Sequence, residues 1–155
     1  MSEHVLHVVY WDDLSADTYL YGSDIRFEKD RSVFFENLMM PSGMTIKKWW
    51  SSTSYQAQRI EPSLPLLLPG KEYTVCAYYD DEPAGTVFLR FDFFDQQGKK
   101  TGTYIMDEKR GAFVCPENTY TYTAELVQGG SDRVRFQRFE IFRTEGALFE
   151  KTTKP

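Results

Sequence analysis

Residues 86–94, TVFLRFDFF, restrict the fold of this chain more than any other stretch. Val87, Leu89, Phe91 and Phe93 recur at every second position, with Arg90 and Asp92 between the last three. A period of two places the four apolar side chains on one side of an extended strand and the two charges on the other. On a helix the same residues would be scattered around the circumference. A strand with one oily and one polar face belongs to a sheet that packs by one face only, which is the habit of antiparallel sheets. The short connection Asp95-Gln96-Gln97-Gly98 then returns the chain antiparallel into a strand at 101–106.

The rest of the chain follows this pattern. Strands are expected at 5–10, 25–28, 32–35, 44–50, 72–79, 111–114, 120–127 and 133–142, with a short extended piece at 18–21. Ile25 and Phe27 should face Val33 and Phe35 across a hairpin, and Tyr73, Val75, Ala77 and Tyr79 should share one face. In the last strand Val134 and Phe136 are in one phase and Phe139 and Ile141 in the other, so a β-bulge is expected near Gln137-Arg138. Asp80-Asp81-Glu82-Pro83-Ala84-Gly85 reads as an acidic, turn-rich loop. Only 31–40 has spacing near the helical period, and Val33-Phe34-Phe35 argues against a helix there. The expectation is an all-β antiparallel sandwich of jelly-roll type, one domain over 1–143, followed by a polar, loose tail at 144–155.

Composition excludes several classes of function. The chain has 155 residues, 41% apolar and 16% aromatic, enough for one domain with a real core. A net charge of −5 gives no footprint for nucleic acid or an anionic membrane. No apolar run approaches the ~20 residues of a membrane span, and MSEHVLHVVYWDD lacks the features of a secretory signal. The expectation is therefore a cytosolic protein with Cys76 and Cys115 reduced and structural; a disulfide between them is the lesser alternative. His4 and His7 are the only histidines and stand near no nucleophile motif, so no catalytic residue is expected. The carboxylates at 80–82 read as a solvated turn, without the spacing of a calcium loop. No metal and no cofactor is expected.

Between the clear strands lies WWSSTSYQAQRIEPSLPLLLPGKEY, residues 49–73. Pro62, Pro65 and Pro69 exclude a regular helix and make 62–70 an extended ribbon bearing Leu64, Leu66, Leu67 and Leu68. Those leucines need cover from the fold or from a partner. Trp49 and Trp50, adjacent in a strand, point to opposite faces, so one is expected in the core and the other at a surface suited to recognition. One of Trp49 or Trp50, with Tyr55 and Arg59, is the candidate partner-binding group.

Several blocks together resemble a known family. They are Tyr10-Trp11, Asp17-Thr18-Tyr19-Leu20-Tyr21-Gly22-Ser23, Leu38-Met39-Met40-Pro41-Ser42-Gly43, Trp49 through Tyr55-Gln56-Ala57-Gln58-Arg59, and Pro62-Ser63-Leu64-Pro65-Leu66-Leu67. In this succession the chain resembles the third accessory secretory protein of the accessory Sec system of Gram-positive bacteria. Phe93-Phe94-Asp95 followed by Gly98 is common to carbohydrate-binding-module sandwiches generally. The resemblance implies a carbohydrate-binding-module-like sandwich and a cytosolic, non-enzymatic subunit, peripheral to the membrane. It implies as partners two sister accessory secretory proteins, a dedicated SecA-type motor ATPase and a serine-rich-repeat adhesin as exported substrate. A free carbohydrate-binding module, recognising glycans through exposed aromatic rings, is the alternative.

Overall fold

A computed structural model describes residues 5–11, 18–51, 64–106 and 108–144. Ten strands and no helix occur among these residues: β1 (Val5–Val9), β2 (Asp24–Phe27), β3 (Val33–Glu36), β4 (Thr45–Trp50), β5 (Glu72–Glu82), β6 (Val87–Phe94), β7 (Lys100–Met106), β8 (Arg110–Val114), β9 (Thr121–Gln128) and β10 (Arg133–Arg143). Every pairing is antiparallel. One sheet runs β2-β3-β10-β5-β8 and the other β4-β9-β6-β7. The eleven-residue β10 is long enough to hold β3 beside its first half and β1 beside its second.

The inner faces follow the alternation read from the sequence. Val87, Leu89, Phe91 and Phe93 from one sheet meet Tyr73, Val75, Ala77 and Tyr79 from the other, all buried. Aromatic rings fill the gap between the sheets: Phe91 lies 6.1 Å from Phe139 edge-on, and 5.3 Å from Phe113. Edge-to-face and tilted pairs at this spacing exploit the ring quadrupoles in addition to the buried area. The hairpin pairs Ile25 with Phe35 and Phe27 with Val33 as expected. The bulge falls where the phase slips, with Phe136 opposite Tyr79 and Arg138 opposite Tyr78, so that Gln137 is the extra residue. Phe136 and Phe139 both reach the core because of it.

Three readings need correction. The acidic segment 80–82 is strand and not loop: β5 continues to Glu82. Asp81 is buried there, and its Oδ2 accepts the amides of Thr86 and Val87, each at 2.9 Å, which closes the turn from inside. The piece at 18–21 makes only an isolated bridge, Thr18 to Lys47. Thr144 is part of the domain: it is buried, its amide donates to Glu72 O, and its hydroxyl pairs with that of Thr74 at 2.7 Å. The remaining tail, 145–155, lies outside the described residues, as does His4.

Candidate interaction surface

The two tryptophans of β4 separate as their alternation requires. Trp49 is 2% exposed, between Phe136 at 5.4 Å and Phe139 at 5.1 Å, and its indole N–H donates to Tyr10 O at 2.9 Å. Its ring is unavailable to a partner, so Trp49 drops out of the candidate group: it is a core residue that fixes where its neighbour points. Trp50 is 38% exposed on the outer face of the four-stranded sheet. The Lys48 ammonium sits 4.2 Å from the Trp50 ring centroid and covers one face of it.

The chain leaving β4 is tied down at both ends of the next segment. Ser51 donates its amide to Tyr122 O, and its Oγ accepts the amide of Tyr122. Leu64 N donates to Trp50 O at 3.1 Å, so the proline ribbon begins beside the residue from which the chain departed. Tyr55 and Arg59, the other two members of the sequence-derived group, lie outside the described residues.

The ribbon divides its leucines. Leu64 and Leu67 are buried in the core, whereas Leu66 is 79% exposed and Leu68 is exposed as well. Two tyrosines hold it: the Tyr122 hydroxyl donates to Pro65 O at 2.5 Å, and the Tyr73 hydroxyl accepts the amide of Leu68 at 2.8 Å. Burial, with smaller contributions from Cys115 and Tyr73, pushes the Tyr122 phenol far above its ordinary range and keeps it a donor. A neutral, buried phenol bonded to a backbone carbonyl is a stable clamp. Cys115 lies nearby, free and buried, and burial raises its thiol above the usual range. Cys76 likewise forms no disulfide, and Arg110, opposite it in β8, donates to its Sγ at 2.7 Å.

Beyond Trp50 the outer face of this sheet is an ionic layer. Glu125 accepts from Arg90 at 2.6 Å and from the Thr45 hydroxyl at 2.6 Å, and stands 3.8 Å from Lys48. Asp92 accepts from Thr103 at 2.8 Å and stands 3.6 Å from both Arg90 and Lys100. Both carboxylates are almost wholly covered. Arg90 and Asp92 thus point away from the core, as their alternation implies, yet they are spent on one another. Sequence reasoning missed the two roles of Lys48 and Glu125; the available signal was their register across β4 and β9, which only tertiary pairing provides. Among the described residues no cluster of three or more metal-ligating side chains occurs.

The family model described as accessory Sec secretory system ASP3 matches residues 18–143. Accessory Sec system protein ASP3 of Streptococcus gordonii is 34% identical over 142 residues, covering 86% of this chain and 89% of the relative. A chain in the crystal structure of accessory secretory proteins 1, 2 and 3 of Streptococcus pneumoniae superposes with a TM-score of 0.84 at 34% identity, over 88% of this chain and 95% of that one. In fold alone the chain is also similar to a Clostridium thermocellum xylanase fragment with a CBM22 module, at a TM-score of 0.53 and 13% identity, over 92% of this chain and 28% of that one. The expected carbohydrate-binding-module-like sandwich is therefore the fold that is found.

Proposed function

The chain belongs to the accessory Sec secretory system ASP3 family, and from that membership we propose that it is a non-catalytic assembly subunit of an accessory Sec export machinery. It binds two sister accessory secretory proteins in the cytoplasm, at the membrane face where the export complex works. With them it assists a dedicated SecA-type motor ATPase in exporting serine-rich-repeat glycoprotein adhesins. The observation that carries this reading is the likeness, along nearly the whole domain, to a chain crystallised with accessory secretory proteins as a group.

Trp50, with Tyr55 and Arg59 from the segment that starts and ends beside it, contacts one sister subunit. Two features support this location. Trp50 presents an indole at the surface, and the adjoining ribbon displays Leu66 and Leu68 in a conformation already fixed by Tyr122 and Tyr73. A preformed apolar segment loses less entropy on docking than a flexible one. Glycan stacking is less favoured, because Lys48 already occupies one face of the Trp50 ring and the neighbouring carboxylates are engaged with one another. The test is coprecipitation of the sister proteins with Trp50→Ala, Tyr55→Ala and Arg59→Ala chains whose melting temperatures match the wild type. Loss of a sister protein supports the assignment; full retention by all three removes it.

A further inference from the structure

The far end of β4 carries a second, independent apolar surface. Strand β4 spans six residues, which at about 3.3 Å per residue separates its two ends by roughly 16 Å. At the Thr45 end, opposite to Trp50, two loops meet. Leu20 and Tyr21 lie in one and Leu38 and Met39 in the other; Tyr21 is 75% exposed, Leu38 69% and Met39 67%. Exposed side chains this large, gathered in two touching loops, are unusual on an isolated domain.

The loops are ordered from beneath by Asn37, which is itself buried. Its Nδ2 donates to Tyr21 O at 2.8 Å and to Ser23 Oγ at 2.9 Å, while its Oδ1 accepts the amide of Met39 at 2.9 Å. Gly22 permits the turn: it adopts φ +74, a left-handed conformation that other residues rarely take, while a Cβ there would make only ordinary contact, 3.6 Å from Asn37 Oδ1 and 3.8 Å from Met39 Sδ. Gln128 holds the second loop to the sheet, its Nε2 donating to Met40 O at 2.8 Å. The apolar side chains are thus displayed on a fixed platform.

The surroundings of the platform are acidic. Glu36 immediately precedes Asn37 and lies opposite Asp24 in the β2–β3 pair. Arg133 bridges Glu36 and Glu82, at 2.9 Å to each, and Asp132 O accepts the Asn37 amide. Four carboxylates (Asp24, Glu36, Glu82, Asp132) therefore stand against two guanidinium groups, Arg133 and the Arg26 paired to Asp24. A second copy of the chain is a poor occupant, because a two-fold interface would set this acidic rim against itself.

We propose that the Leu20-Tyr21/Leu38-Met39 platform docks a second sister accessory secretory protein, one that presents an apolar socket rimmed by lysine or arginine. The domain then bridges its two sisters from opposite ends of β4. This rests on the assembly role proposed above.

The test uses the complex reconstituted from this chain and both sister proteins. A Leu38→Asp/Met39→Asp chain should lose one sister, its affinity falling about thirtyfold or more, as for truncation of an interface anchor, and keep the other at wild-type affinity. The Trp50→Ala chain should show the reverse selectivity. An Asp24→Lys/Asp132→Lys chain should weaken the same sister as the loop variant and flatten the salt dependence of its binding. Retention of both sisters by the loop variant, loss of both, or a sharp fall in its melting temperature overturns the proposal. So does sedimentation of the isolated wild-type chain as a dimer that the loop variant dissociates. If the wild-type chain captures neither sister, the assembly role itself fails and this inference falls with it.

Discussion

Trp49→Ala and Trp50→Ala should differ widely in their effect on stability although the residues are adjacent. Removing the Trp49 ring opens a cavity against Phe136 and Phe139, for which a Trp→Ala change costs about 3–5 kcal/mol. It also leaves Tyr10 O without its donor, worth about 1 kcal/mol more. For a chain of this length each kcal/mol shifts the melting temperature by roughly 2–4 °C, so Trp49→Ala should melt about 10–20 °C lower. Trp50→Ala loses a cation–π contact with Lys48 at a partly exposed site, about 0.5–1 kcal/mol. With the modest area its ring covers, a drop of only ~2–6 °C follows. Thermal unfolding by near-ultraviolet dichroism, with urea titration to give the free energies, reads both. A Trp50→Ala chain as unstable as Trp49→Ala, or a Trp49→Ala chain close to the wild type, would refute the assignment of inner and outer faces in β4.

Phe91→Ala, at the centre of the sandwich and fully buried, should cost about 3–5 kcal/mol in urea unfolding. Asp81→Ala should cost about 2–4 kcal/mol, since it removes a buried carboxylate that accepts two backbone amides, and hydrogen exchange at Thr86 and Val87 should speed up with it. Tyr79, raised from 10.0 to about 12 first by burial and then by Asp81, should make stability fall with alkali. Its contribution is complete below pH 10 and lost as the pH rises toward 12, so a Tyr79→Phe chain should show a shallower alkaline decline. Alkylation without reductant should modify both cysteines once the protein is unfolded, with Cys115 protected in the native state; an internal bridge detected by mass would contradict this.

The strands and their inner faces were legible because each residue's environment repeats with the backbone period. Residues 86–94 needed nothing beyond their own alternation, and the bulge at Gln137 was visible as a change of phase. The acidic stretch 80–82 was misread for a physical reason: Asp81 is tolerated inside because two backbone amides from across the turn point at it, and those donors cannot be seen in its local sequence. The same limit hid the Cys76–Arg110 contact, formed by residues in different strands. For the candidate surface, alternation showed that one tryptophan points in and one out, but the phase relative to the core is set by the pairing of β4 with β9. The ribbon's leucines have no period at all. Leu64 and Leu67 are chosen for the core by where Tyr122 and Tyr73 hold the backbone. The Asn37 platform joins residues far apart in the chain, so its blocks stand out in the sequence as motifs while their shared surface does not.

The assembly role is tested most directly by isolating the chain, tagged at its own locus, from the bacterium that makes it, and determining by mass spectrometry and size-exclusion chromatography what elutes with it. The account predicts a discrete complex containing both sister accessory secretory proteins, with one of them missing when Trp50 is replaced by alanine. Elution of the wild-type chain alone, or with glycan and neither sister, would contradict it.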